Sequence, residues 1–141
     1  MFSKACEYAI KAMIFIELKS SASRKISLNE IAEAIDSPVA FTAKILQKLR
    51  KSGLIISTIG ARGGFQIEEN KSITIKEIVI AIDGDGFFNK CILGLNVCSS
   101  ANPCPAHATY SRIREILLTD LLNLSINQFS KLLKKKYISL K

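Results

Sequence analysis

The chain has 141 residues, 48% of them hydrophobic, and sets 20 Lys and Arg against 12 Asp and Glu for a formal charge of +8. That length suits one domain with an extension, and that charge points to a polyanionic partner, nucleic acid or an anionic membrane surface. No apolar run approaches the ~20 residues that cross a bilayer. The opening MFSKACEYAIKAMIFIEL is interrupted by Glu7, Lys11 and Glu17, so it does not read as a signal peptide. A cytoplasmic protein without membrane association is expected, and there four cysteines indicate metal or redox chemistry rather than structural disulfides.

Residues 3–19 predict a first helix, with Ala5, Ala9, Ala12, Met13 and Ile16 on a broad buried face. After a polar loop, Ser27-Leu28-Asn29-Glu30 forms a capping box that opens a short helix to about Ile35. Ser37 is placed as the N-cap and Pro38 as the first residue of a third helix, which Gly53 closes. Phe41, Ile45, Leu46 and Leu49 give that helix one apolar face. Leu54–Ile59 and Phe65–Ile67 then read as two strands joined by Gly60-Ala61-Arg62-Gly63-Gly64. The fold class that follows is mainly α with a small β-hairpin wing, a winged helix-turn-helix.

From Ser37 to Ile67 the cations Lys44, Lys48, Arg50, Lys51 and Arg62 face no acid at all. A cationic helix beside an Arg-tipped wing suits a DNA groove and its phosphates. Lys44, Lys48 and Lys51 are assigned to phosphates, and Gln47 to an adenine edge. Ser37, Ala40 and Thr42, near the helix start, are placed to touch phosphate or a thymine methyl. Arg62, with Gly63 beside it, is assigned to the minor groove.

A second capping box, Thr74-Ile75-Lys76-Glu77, opens a helix that Asp83-Gly84 ends. Asp83-Gly84-Asp85-Gly86 lacks the later ligands of a calcium loop. Residues 85–105 show little periodicity and hold three of the cysteines, so a functional loop is expected. Helical spacing returns from Ala106 to about Asn123, with Tyr110, Ile113, Leu117, Leu121 and Leu124 on a stripe flanked by Ile116 and Leu118. We read this as a long dimerisation helix setting two recognition helices about one DNA turn, ~34 Å, apart. Ser125-Ile126-Asn127-Gln128 caps a last helix over about 126–136. Three regions result: 1–83 for DNA binding, 84–105 as the cysteine loop, and 106–141 for dimerisation and the C-terminal helix.

Cys91, Cys98 and Cys104, with His107 three residues on, offer three thiolates and an imidazole within seventeen residues. The gaps of six and five residues exceed the tight knuckles common in structural zinc sites, while iron–sulfur loops accept them. An iron–sulfur cluster, a zinc site, a thiol switch and unligated thiols are the open readings. Cys6 reads as a small buried residue. An enzyme is not expected, because no nucleophile has a base nearby and the Gly60–Gly64 turn lacks the setting of a phosphate cradle.

The segments EYAIKAMIFIEL, LRKSGLIISTIGARGGFQI and ITIKEIVIAIDG and the loop ending CPAHATYSRI together resemble the Rrf-type winged-helix transcriptional regulators. The resemblance spans nearly the whole chain and is nearest the branch that holds an iron–sulfur cluster regulator and a nitric-oxide-sensitive repressor. It implies a homodimer joined through the long C-terminal helix and bound to a partly palindromic double-stranded operator. It further implies a 2Fe–2S cluster on Cys91, Cys98 and Cys104 that gates repression in response to redox state, nitric oxide or iron–sulfur supply. The fourth ligand it implies is either His107 or, from the partner subunit, the first-helix acid that matches Glu7.

Overall fold

The computed structural model describes residues 2–21, 23–136 and 139–141. In chain order they form α1 (Lys4–Lys19), α2 (Leu28–Ala34), α3 (Val39–Lys51), β1 (Ile56–Thr58), β2 (Gly64–Gln66), α4 (Ile75–Asp83), α5 (Gly86–Asn89), α6 (His107–Ile116) and α7 (Ile126–Lys136). α6 runs without a break into a π-helical turn, Leu117–Leu121. No helix among the described residues is long and apolar enough to cross a membrane.

α1 is the central strut. The Ser3 side chain caps it by accepting from the Cys6 N–H at 3.1 Å. Ser3 in turn donates its own N–H and hydroxyl to Asp83, which ties the start of α1 to the end of α4. Cys6, Ala9, Ala12, Met13 and Ile16 are fully buried, and the two alanines let α2, α3, α4 and α7 pack closely around α1. Truncating a core side chain such as Leu46 to Ala costs about 2–5 kcal/mol, because the cavity only partly collapses.

Both predicted capping boxes on α2 and α4 form, with Ser27 and Glu30 closing one and Thr74 and Glu77 the other. α3 differs at its start: its N-cap is Pro38 and it makes no side-chain cap bond, so Ser37 is not the cap expected of it. The buried Ser37 hydroxyl has no hydrogen-bond partner among the described residues. At the other end Gly53, at φ +71°, turns the chain out of α3 as predicted.

The wing pairs Ile56 with Gln66, Ser57 with Phe65 and Thr58 with Gly64. Its second strand is also bonded on its other edge, where Phe65 and Ile26 exchange N–H···O bonds of 2.8 and 2.9 Å. The strands are shorter than the sequence pattern predicts because Leu54 and Ile55 turn into the core instead of pairing.

The chain closes on itself at a backbone clasp. Ile75 N–H donates to Leu124 O at 3.0 Å, Lys76 N–H to Leu122 O at 2.9 Å and Ile126 N–H to Ile73 O at 2.7 Å. Beyond it α7 returns to α1, where Asn127 donates to the Glu17 carboxylate at 2.7 Å and Phe129 packs on the core. Between Phe88 and Leu122 no described residue is buried, so the cysteine loop and α6 project as a lobe from this neck.

Candidate functional site

Two surfaces carry the chemistry that the sequence singles out. The first is the outer face of α3 with the wing. Ile45, Leu46 and Leu49 anchor the inner face, so Ala40, Lys44, Gln47 and Lys51, at spacings of three and four, point outward, with Lys48 beside them. All five are exposed, as is Arg62 at the wing tip. The two ion pairs among the described residues, Lys4–Glu7 and Arg24–Glu30, lie elsewhere, so these cations have no carboxylate to neutralise them.

Thr42 lies on the opposite side from the one expected of it. It is 0% exposed, one turn before the buried Ile45 and Leu46 on the same face of the helix, and its hydroxyl donates to Pro38 O at 3.1 Å. The wing, by contrast, is held in one shape. A Cβ on Gly63 would meet Thr58 O at 2.2 Å, and one on Gly64 would meet Ile26 O at 2.7 Å. Gly63 N–H closes the loop onto Gly60 O at 2.9 Å.

The second surface is the projecting lobe. Three successive turns build it: Gly94 N–H bonds Cys91 O at 2.9 Å, Ser99 and Asn102 exchange backbone bonds, and His107 N–H bonds Cys104 O at 2.9 Å. Gly94 sits at φ +69°, which lets the first turn reverse tightly enough to bring Cys91 back toward Cys104. Cys91 Sγ then lies 3.7 Å from Cys104 Sγ, and Cys98 Sγ lies 3.2 Å from His107 Nδ1. The three sulfurs fall within 4.8 Å of one another, all half-buried. Four donors thus arrive as two pairs from sequence-distant positions.

Their protonation is uneven. Backbone N–H groups of Leu95 and Leu93 point at Cys91 and bring its thiol down to about 7, against a smaller desolvation effect. At Cys98 the Cys104 N–H also favours the thiolate. Desolvation and the neighbouring Cys104 and Cys91 sulfurs outweigh it, so that thiol stands above its ordinary value. Cys6 is different: burial, with the Asp83 and Glu7 charges adding, pushes it up to about 12 and leaves it chemically quiet.

Tyr110 and Arg114 line the same small cleft as the thiols, as does Ser111. With His107 they occupy positions i, i+3, i+4 and i+7 of α6, one helical stripe, a spacing that was available in the sequence. Tyr110 therefore turns toward the sulfurs, away from the apolar stripe that the sequence grouped it with. Ile113 and Ile116 hold the other side of α6, 54% and 58% exposed. Glu7 is not brought to the sulfurs within the chain; its carboxylate pairs with Lys4 at 3.0 Å.

The chain's residues 2–131 match the family model described as Rrf2, iron-dependent transcriptional regulator. An HTH-type transcriptional regulator of Aquifex aeolicus is 33% identical over 118 residues, covering 81% of this chain and 80% of that one. The HTH-type transcriptional regulator IscR of Escherichia coli is 27% identical over 122 residues, covering 86% and 74%. Among solved structures, CymR, the global cysteine regulator of B. subtilis, superposes with a TM-score of 0.77 at 22% identity over 94% of this chain and 97% of that one. T. potens IscR gives 0.75 at 19% identity over 99% and 92%. These two likenesses establish the winged-helix fold.

Proposed function

Because this chain belongs to the Rrf2 family of transcriptional regulators, we propose that it acts as a homodimeric repressor that grips duplex DNA with α3 and the wing and is gated by a 2Fe–2S cluster in the projecting lobe. The observation that carries the cluster is the pairing of donors: Cys91 with Cys104, and Cys98 with His107. The 3.7 Å sulfur separation is close to the ~3.8 Å edge of a tetrahedron of ~2.3 Å metal–sulfur bonds, so one metal can take the first pair. The second pair supplies one thiolate and one imidazole, a donor set that iron–sulfur chemistry accepts and that raises the potential.

When bound, the cluster supplies reversible one-electron and ligand-loss chemistry. What the chain supplies is placement. Loop turns present three thiolates, α6 presents the imidazole, and the neck joins both to the DNA-binding core through α4 and α7. Lobe order thereby acts on the spacing of the two α3 helices in a dimer. α6 itself argues for the dimer: it contains no buried residue, and an isolated helix of that length is marginal in water unless its apolar side is covered. Ile113 and Ile116 are the exposed apolar positions that a second copy would cover. Ala40, Lys44, Gln47, Lys48, Lys51, Arg62 and Gly63 form the DNA-contacting set, while the buried hydroxyl of Ser37 takes no part.

Anaerobic purification, with an absorption spectrum and quantified iron, sulfide and zinc, tests this reading. A brown protein with equal iron and sulfide is expected, and Cys98→Ala abolishes the colour while the dimer persists. A colourless protein after anaerobic reconstitution refutes the cluster. A second reading draws on the same geometry: three sulfurs within 4.8 Å converge on one point, which suits a single zinc ion completed by His107. Stoichiometric zinc without sulfide would establish that alternative. Reversible disulfide formation in metal-free protein, seen by mass spectrometry, would mark a thiol switch.

A further inference from the structure

We propose that Ile59 is an apolar wedge of the wing, packing against the deoxyribose walls of a DNA minor groove while the neighbouring Arg62 reaches its floor; this rests on the reading of the chain as a duplex-DNA binder. Ile59 is 100% exposed, the most exposed large hydrophobic side chain among the described residues. A lone surface isoleucine ordinarily needs no explanation. This one stands at the apex of a projecting hairpin, directly after the last paired residue Thr58 and three positions before Arg62.

The hairpin gives it nowhere else to go. β2 is bonded along both edges, to β1 and to Ile26, and the Lys25 ammonium donates to the Thr58 hydroxyl at 2.9 Å. Glycines at 60, 63 and 64 lock the loop, two of them against backbone oxygens that leave no space for a Cβ. A β-branched side chain on such a support has few rotamers to lose, so ordering it on contact costs little.

The surroundings identify the partner. From Ser37 to Ile67 the surface carries five cations and no acid, which selects a polyanion. Among polyanions, a minor groove combines phosphate rims and an electronegative floor with apolar sugar walls, and it accepts isoleucine as an inserted side chain beside arginine. Binding through Ile59 adds a contribution that salt does not screen, because it releases no counterion.

The test compares wild type, Ile59→Ser, Ile59→Leu and Arg62→Gln on a labelled A·T-rich duplex about three helical turns long, by anisotropy over a salt series. Since Ile59 touches nothing in the core, all variants should keep wild-type helical content and thermal midpoint. Ile59→Ser should bind about fivefold to tenfold more weakly at every salt concentration with an unchanged slope. Ile59→Leu should stay within about twofold of wild type, and Arg62→Gln should lose about one unit of slope. Ile59→Ser binding equal to wild type, or a changed salt slope, overturns the wedge while leaving DNA binding in place. A wild-type protein that fails to bind the duplex at all overturns both.

Discussion

Cys98 Sγ and His107 Nδ1 stand 3.2 Å apart, joined from a loop turn and the first residue of α6. This makes His107, not Glu7, the nitrogen or oxygen donor already in place within the chain. His107→Cys should keep the colour of the loaded protein and lower its reduction potential, because imidazole ligation raises cluster potentials relative to thiolate. Spectroelectrochemistry reads the difference. Glu7→Ala should leave the spectrum and potential as they are, and a bleached Glu7→Ala protein would move the ligand to α1.

In metal-free reduced protein the thiols should react in a fixed order. The Cys91 thiol is lowered to about 7, well below the ordinary cysteine range, so its thiolate, and its alkylation, rise through pH 7. Cys98, raised by desolvation and then by the Cys104 and Cys91 sulfurs, follows at higher pH, and Cys6 stays unmodified until the protein unfolds. A folded-state value below the unfolded one contributes stability that is present above pH 9 and is lost as pH falls through 7. Mass-spectrometric mapping of iodoacetamide labelling against pH checks the order.

Cations on the phosphates and in the electronegative minor groove should both appear as salt slope. Lys44→Ala and Arg62→Ala should each reduce the slope of duplex binding by about one unit. Thr42→Val serves as the internal control: buried and nearly isosteric, it should leave affinity and slope unchanged and alter stability by no more than about 1 kcal/mol. Anisotropy titrations with urea melts give both numbers.

Gly63→Ala tests the wing as a rigid element. Its Cβ would fall 2.2 Å from Thr58 O, so the hairpin must open, at about 1–3 kcal/mol. Duplex affinity should drop with helical circular dichroism intact.

Ile113→Glu with Ile116→Glu should turn a dimer into a monomer in size-exclusion light scattering, since both face outward from a helix that buries nothing of its own. A variant that stays dimeric would place the seam elsewhere.

Wherever a local signal fixes a local outcome, the fold was legible in the residues. Ser27/Glu30, Thr74/Glu77 and Ser125/Gln128 cap their helices as the spacing says, and Gly53 ends α3. Ser37 misled because Pro38, whose ring fixes φ and not ψ, is itself extended at ψ 134°, so helical backbone begins only at Val39 and the cap falls on Pro38. Thr42 misled because proximity to a helix start says nothing of face; counting back from Ile45 and Leu46 places it inward. The cysteines' importance was visible in their crowding. Which sulfur meets which was not, since loop turns such as that at Gly94 set those distances and leave no periodic trace. Tyr110 fitted two stripes of α6 at once, and only the position of the loop decided between them.

The neck formed by Ile73–Lys76 and Leu122–Ile126 has an evolutionary corollary. Beyond Phe88 the enclosed lobe buries no side chain fully, and Leu117 and Leu118 at its base pack against the core of the main body, so that head is a cassette hinged at its foot. On the proposed reading, lengthening the strap or exchanging one of its thiols would retune the stimulus while leaving the packing beneath the hand that holds the genome unchanged.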